Sequence, residues 1–281
     1  KKNNIDCKDK KVLILGTGGT SKTAYAVVKD LGASIILKAS INNEEGTITY
    51  EEAVNIHNDA EVIINTTPVG MYPNNDGCII DLSKFKNLVG LIDVVYNPLR
   101  TNLVLNAKNL KIPSEGGLYM LVGQAVYACG LFLDKEIDLS VIDTIYNKLK
   151  TDKENIVLIG MPSSGKTTIG KILSEKLNKT LVDTDSLIVD KIGMSIADYM
   201  KNHTEKEFRD IETICVKEAA KMSSVVISTD GGAILRSENV KALKQNGKLY
   251  FLKRSLELLT PTTSRPFSSD AESLKKRYIE R

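Results

Sequence analysis

The octapeptide Gly160-Met161-Pro162-Ser163-Ser164-Gly165-Lys166-Thr167 constrains this chain more than any other stretch, because it satisfies G-x-x-x-x-G-K-[ST] in full. It follows the apolar run Ile156–Ile159 and leads into a helical pattern over Thr167–Leu177. The loop therefore lies between a buried strand and a helix N-terminus. There the glycines let backbone N–H groups turn toward phosphate oxygens, at the positive end of the helix dipole. Gly160, Ser163, Ser164, Gly165, Lys166, Thr167 and Thr168 are the candidate ATP contacts. Lys166 can reach the β- and γ-phosphates, and the Thr167 hydroxyl is a candidate Mg²⁺ ligand. A turn that spelled the motif by chance would lack the flanking strand and helix.

A second strand–turn–helix unit lies far upstream. Lys11–Leu15 reads as a buried strand, Gly16-Thr17-Gly18-Gly19 as a turn, and Ser21–Leu31 as a helix ended by Gly32. Further strands are expected at Ser34–Leu37, Val62–Asn65 and Leu88–Tyr96, and helices at Tyr119–Asp134 and Leu139–Lys150, the latter capped by Asp138. In the second half, strands are expected at Thr180–Asp183, Val225–Ser228 and Lys248–Leu252, with a helix over Glu205–Met222. Strands alternating with helices imply parallel sheets with right-handed crossovers, an α/β fold. The chain has 281 residues, enough for two domains at roughly 150 residues each. The short charged stretch Lys150–Asn155 reads as the linker, giving domains 1–150 and 155–281.

Composition removes several classes of function. Lys and Arg total 38 against 35 Asp and Glu, a net charge of +3, too little for an electrostatic nucleic-acid binder. No apolar run approaches the ~18–20 residues that span a bilayer. The opening Lys1-Lys2-Asn3-Asn4 lacks the apolar core of a signal peptide. Cys7, Cys78, Cys129 and Cys215 form no C-x-x-C pair, so a reducing cytosol is expected, without disulfides or zinc. The chain starts without Met and stops inside a charged helical pattern, and it reads as a fragment.

Past the loop, Asp183-Thr184-Asp185 ends a strand, where carboxylates face the ligand crevice of an open α/β sheet. A turn with a helix cap accounts for the same residues equally well. Arg209, in Phe208-Arg209-Asp210-Ile211-Glu212, would in isolation be a solvated helix charge. Taken in order with Val225–Thr229, Gly231-Gly232-Ala233, Ser264-Arg265-Pro266 and Arg281, these segments resemble shikimate kinase over roughly Asn155–Arg281. The resemblance implies a P-loop domain of the nucleoside-monophosphate-kinase type. In it Asp183 helps hold Mg²⁺, and Asp185 holds the shikimate hydroxyl that attacks the γ-phosphate. Arg209 and Arg281 clamp the shikimate carboxylate, as planar guanidinium forks can. Gly231 and Gly232 contact substrate, and Arg265 closes over the phosphates as a lid residue, so that Lys166, Asp185 and Arg265 form the catalytic set. One departure stands out: the family has a third glycine where this chain has Asp230. Asp230 either serves Mg²⁺ or weakens substrate binding. The resemblance also implies a further strand and helix for adenine beyond Arg281.

In the first half, Gly16, Gly18, Gly19 and Thr20 make a plausible pyrophosphate site, although the turn is not a strict G-x-G-x-x-G. Readers of NAD place an acid at the end of the second strand. This chain has Leu37-Lys38-Ala39-Ser40, so Lys38 suits a 2′-phosphate and NADP(H) is expected over NAD. Ile64–Met71, Asp93–Pro98 with Thr101, and Gly117–Ala125 together resemble the nucleotide domain of shikimate dehydrogenase over roughly Lys8–Lys150. By that resemblance Thr66 lines the cofactor groove, Gly117 and Met120 sit near the nicotinamide, and Tyr96 and Gln124 touch substrate. The family's catalytic Lys and Asp belong to a preceding domain, and only residues 1–10 precede the first strand here. The expectation is a half that binds NADP and reduces 3-dehydroshikimate poorly or not at all. The combined expectation is a fused enzyme of aromatic biosynthesis. Two rivals remain: a P-loop kinase of another small polyol such as gluconate, and a non-catalytic nucleotide-binding scaffold.

Overall fold

Val12, Leu13, Ile14 and Leu15 are all fully buried in the first strand, β1 (Lys11–Leu15). A parallel strand covered on both faces needs apolar residues at every position, which is why this run does not alternate. The pleat still sorts the side chains. Leu13 and Leu15 join Ile63, Leu91 and Leu103 in one core, while Val12 and Ile14 join Val28, Val62 and Ile64 in another. The computed structural model describes residues 2–42 and 44–259.

The chain divides into two compact units, Lys1–Thr151 and Asp152–Arg281. In the first, β1 is followed by α1 (Gly19–Asp30), β2 (Ile35–Ser40), β3 (Ile48–Thr49), α2 (Tyr50–Asn55), β4 (Val62–Asn65), β5 (Gly90–Asp93), α3 (Asn102–Asn109), β6 (Ser114–Glu115), α4 (Leu118–Leu133) and α5 (Ser140–Lys153). Its sheet runs β3-β2-β1-β4-β5-β6, parallel throughout. The order reverses between β1 and β4, so the crevice at their C-terminal ends opens beside the glycine turn after β1.

The second unit contains β7 (Asn155–Gly160), α6 (Lys166–Leu177), β8 (Thr180–Asp183), α7 (Thr184–Ile192), α8 (Ile196–Asn202), α9 (Glu205–Lys221), β9 (Val225–Ser228), α10 (Ser237–Asn246) and β10 (Gly247–Leu252). Its parallel sheet runs β10-β7-β9-β8. Val157, Val182, Val216, Ile227 and Leu243 pack together beneath the strand ends that carry the site.

Several boundaries differ from the sequence expectations. The charged stretch read as a linker is helical as far as Lys153, because α5 continues through it. The strand expected over Leu88–Tyr96 is confined to Gly90–Asp93, since the Asp93 carboxylate accepts the Val95 N–H at 3.1 Å and turns the chain out of the ladder. The short helices were missed, although their caps are written in the sequence. Thr49 with Glu52 forms a reciprocal capping box at α2 and Thr101 caps α3; the expected helix α9 starts on the same kind of box, Thr204 with Glu207.

Candidate active site

In the second unit the loop after β7 closes back on itself. Gly165 precedes α6 at φ 93°, a left-handed conformation that a side chain strains. Lys166 is buried, and its Nζ donates to the carbonyls of Gly160 at 2.9 Å and Met161 at 2.8 Å. The ammonium thus lies inside the curve of the loop, within the cradle that a phosphate chain would fill. Arg254, just past β10, donates from NH1 to the Ser163 carbonyl at 3.1 Å.

Asp183 combines two roles that the sequence offered as alternatives. Its Oδ1 accepts the Asp185 N–H at 3.0 Å and caps α7, while its Oδ2 accepts the Thr167 hydroxyl at 3.0 Å. The Thr167 hydroxyl also lies 3.3 Å from Ser228 Oγ. Asp183 and Asp185 line one cavity of about 280 Å³ together with Ser163, Gly165, Lys166 and Thr167. Thr168, Ser228, Thr229 and Arg254 complete its wall. A hydroxyl and a carboxylate at this spacing are hard oxygen donors suited to Mg²⁺, which fills its remaining positions with water and phosphate oxygens.

Arg209 lies behind this cavity rather than in solvent. It is only 6% exposed, against the expectation for an isolated helix charge. Its NH1 donates to Glu212 Oε1 at 2.8 Å and to Asp230 Oδ2 at 3.4 Å, and its NH2 to Glu205 Oε1 at 3.3 Å. Burial alone would lower the Arg209 pKa, but Glu212, Asp230 and Glu205 outweigh it and hold the guanidinium above its ordinary value. Burial raises the Glu212 carboxyl to about 7; Asp230 pushes it the same way and Arg209 opposes. Gly231 and Gly232 are buried in the loop after β9. A Cβ on Gly232 would overlap the Arg209 guanidinium, so glycine is required where the guanidinium crosses the backbone. The Asp230 N–H donates to Thr184 Oγ1 at 3.0 Å, tying this loop to the segment that carries Asp185. Arg265 and Arg281 lie outside the described residues.

In the first unit, Gly18 and Gly19 begin α1 with no atom within 4 Å of where a Cβ would stand, leaving an open face at the helix N-terminus. Thr20 beside them is exposed. The Thr66 hydroxyl donates to the Leu15 carbonyl at 2.6 Å, fixing the end of β4 against the exit from β1. Under this groove lies a buried polar network. Asn65 Nδ2 donates to Asp93 Oδ1 at 2.9 Å, and Thr101 Oγ1 to Asp93 Oδ2 at 2.6 Å. Burial raises the Asp93 pKa despite these donors. Lys38 lies within β2, and its Nζ sits 5.6 Å from the centre of the Tyr25 ring. Gly117 meets the Val94 carbonyl so closely that a Cβ would overlap it, and this seats the start of α4. Met120 and Gln124 lie one turn apart on α4, exposed, as is Tyr96 after β5.

Sequence reasoning missed Arg254 and, while quoting the segments that hold them, gave Ser228, Thr229, Thr184 and Glu212 no role. Each of the first four stands at or just beyond a strand's C-terminal end, the signal that singled out Asp183. It also missed Glu44, whose Oε1 accepts from Thr17 Oγ1 at 3.2 Å and brings an acid to the first glycine loop from the segment just after β2.

Fold and site together define a P-loop phosphotransferase domain behind a Rossmann-type dinucleotide domain. A shikimate kinase family model matches residues 162–280. The shikimate kinase of Caldicellulosiruptor bescii is 44% identical over 125 residues, covering 43% of this chain and 73% of that protein. The chain belongs to the shikimate kinase family through this half and carries a shikimate dehydrogenase-like domain ahead of it. The shikimate dehydrogenase (NADP(+)) of Clostridium perfringens is 31% identical over 156 residues, covering 52% of this chain and 57% of that protein. A chorismate mutase/shikimate 5-dehydrogenase fusion protein from Clostridium acetobutylicum superposes with a TM-score of 0.50 at 30% identity, over 53% of this chain and 57% of that one. The chain thus spans a little over half the length of these dehydrogenase relatives. Among the described residues, no helix is long and apolar enough to cross a membrane.

Proposed function

We propose that the second unit transfers the γ-phosphoryl group of ATP to the 3-hydroxyl of shikimate. The observation that carries this reading is the gathering of Lys166, Thr167, Asp183 and Asp185 around one cavity, with Arg209 held close behind it. Gly160, Ser163, Ser164, Gly165 and Thr168 wrap the phosphates, and Lys166 neutralises charge on the β- and γ-oxygens. Thr167 and Asp183 would hold Mg²⁺, which supplies charge neutralisation between the phosphates when bound. Asp185 orients the attacking hydroxyl and accepts its proton. Arg209, with Arg281, grips the acceptor's carboxylate, and Gly231 and Gly232 present backbone to it; Arg265 closes over the phosphates.

In the same proposal the first unit seats NADP(H). Gly16, Gly18, Gly19 and Thr20 at the α1 N-terminus would hold the pyrophosphate and Lys38 the 2′-phosphate, with Thr66 lining the groove and Gly117 and Met120 near the nicotinamide. Tyr96 and Gln124 face 3-dehydroshikimate, the substrate proposed for this half. The two domains are proposed as 1–150 and 155–281, in a soluble cytoplasmic enzyme acting on small molecules.

The test is shikimate-dependent ADP formation by the full chain. Lys166→Ala should abolish it, and retained turnover would count against the assignment. The carboxylates crowding Arg209 favour one second reading, an uncharged polyol acceptor. A substrate panel that prefers such a polyol would replace shikimate.

A further inference from the structure

Asp230 stands where the related kinases carry glycine by the resemblance above, and its contacts indicate what it does. Asp230 Oδ2 accepts the Gly232 N–H at 2.8 Å and lies 3.4 Å from Arg209 NH1. A single carboxylate oxygen therefore engages a buried guanidinium and a backbone amide. These are the two kinds of donor that bind a carboxylate most strongly.

The other two acids around Arg209 occupy different positions. Glu212 is fully buried one helical turn along α9 and lies 2.8 Å from the guanidinium, with no path to turn away from it. Glu205 lies at the rim, with half of its side chain exposed. Asp230 is on the loop after β9, at the strand end that opens toward the crevice. Its backbone N–H is held by Thr184 Oγ1, an anchor that does not depend on its side chain. A metal-ligand role is not favoured: Asp230 points to Arg209 and Gly232, and it does not line the cavity that holds Thr167 and Asp183.

We infer that Asp230 is an internal carboxylate occupying the anion seat of Arg209 and Gly232, so that an anionic acceptor binds in competition with it. This rests on the proposal that the acceptor is a carboxylate held by Arg209. Asp230 and Glu205 already face this guanidinium beside Glu212, so an incoming carboxylate meets repulsion unless Asp230 swings away. Asp230 is thus a determinant of acceptor affinity and of the preference between charged and neutral acceptors.

The experiment is calorimetry of shikimate with ADP present, using the full chain and its Asp230→Gly and Asp230→Asn variants, beside steady-state kinetics with shikimate varied. Both variants should bind shikimate about tenfold more tightly, with a matching fall in KM. The change in kcat should be smaller than the change in KM, and KM for ATP should hold. Shikimate methyl ester should gain little, so the acid-over-ester preference should widen in both variants. Structural damage would weaken both ligands together. Equal or weaker shikimate binding in both variants, with melting temperatures like the parent's, overturns the inference and leaves the kinase assignment standing. If neither parent nor variant gives shikimate heat or turnover, the shikimate assignment falls and this inference falls with it.

Discussion

The two glycine loops solve the same problem in different ways. The loop after β7 encloses its anion seat: Lys166 is buried inside it, Thr167 is tied to Asp183, and Arg254 braces Ser163 from the far side. The loop after β1 is open: Gly18 and Gly19 face free space, and Lys38 stands two residues inside the neighbouring strand, near Tyr25. A phosphoryl group in transfer develops charge that must be met by fixed donors. A dinucleotide's pyrophosphate only has to be held, and a helix N-terminus with bare backbone suffices.

Replacing Lys166 should have the largest effect on that contrast. Lys166→Ala is expected to lower shikimate-dependent ADP formation by about a thousandfold or more, with a coupled ADP assay as the measure. Turnover within tenfold of the parent would mean that the enclosed loop does not work through its lysine.

Glycine substitutions probe the packing of the two seats. Gly232→Ala forces a methyl into the Arg209 guanidinium and should cost about 1–3 kcal/mol, as overpacking does. Gly18→Ala adds a methyl to open space, so the melting temperature should hold while NADPH binding weakens about tenfold. Chemical denaturation and a fluorescence titration read the two outcomes. A destabilised Gly18→Ala with undiminished cofactor binding would break the comparison.

The buried acid near Arg209 sharpens it further, because its partner is a charged guanidinium, whereas the buried Asp93 of the first unit is met by the neutral donors Asn65, Thr101 and Val95. Glu212 titrates near 4.5 when unfolded and about 7 when folded. Between those values the folded chain binds more protons than the unfolded one, so stability falls as pH rises. Glu212's contribution is complete below about 4.5 and lost by about 7. Thermal melts across that window should show a pH slope that is reduced in Glu212→Gln. An unchanged slope would mean the proton resides elsewhere.

The smallest effect expected is at Lys38. Lys38→Ala should weaken NADPH several-fold and NADH hardly at all, the effect of losing one half-buried charge near the 2′-phosphate. Glu44, which accepts from Thr17, would repel a 2′-phosphate, so Glu44→Gln should leave NADH binding unchanged and tighten NADPH. Equal losses for both cofactors would remove Lys38 from the 2′-phosphate site.

Much of this was legible in the residues themselves. β1, β4, β8 and β9 have the bounds read from the sequence; β1, β4 and β9 are buried along nearly their whole length and leave continuous apolar patterns, while β8 is an edge strand exposed at Thr180. β3 and β6, with two residues each, carry too little pattern to recognise. The Asp183 pair could be placed at a strand end but not resolved between cap and ligand. The structure shows one carboxylate serving Asp185 with one oxygen and Thr167 with the other. Arg209 alone was indistinguishable from a surface charge, since burial is not a property of helix periodicity when the residue is polar.

The sequence by itself determined two nucleotide-type loops, the alternation of strand and helix behind them, and the order of the acidic and basic residues downstream. Those are local properties, fixed by backbone conformation and by hydrophobic period. The tertiary structure decided which distant groups share space. It brought Asp230 and Gly232 onto Arg209, reached through a turn well over one sheet strand away in the chain, and Glu44 onto Thr17. Contacts of that kind depend on crossovers that bring strand ends together. No spacing in the chain encodes them, because the distance along a sequence does not fix the distance across a sheet.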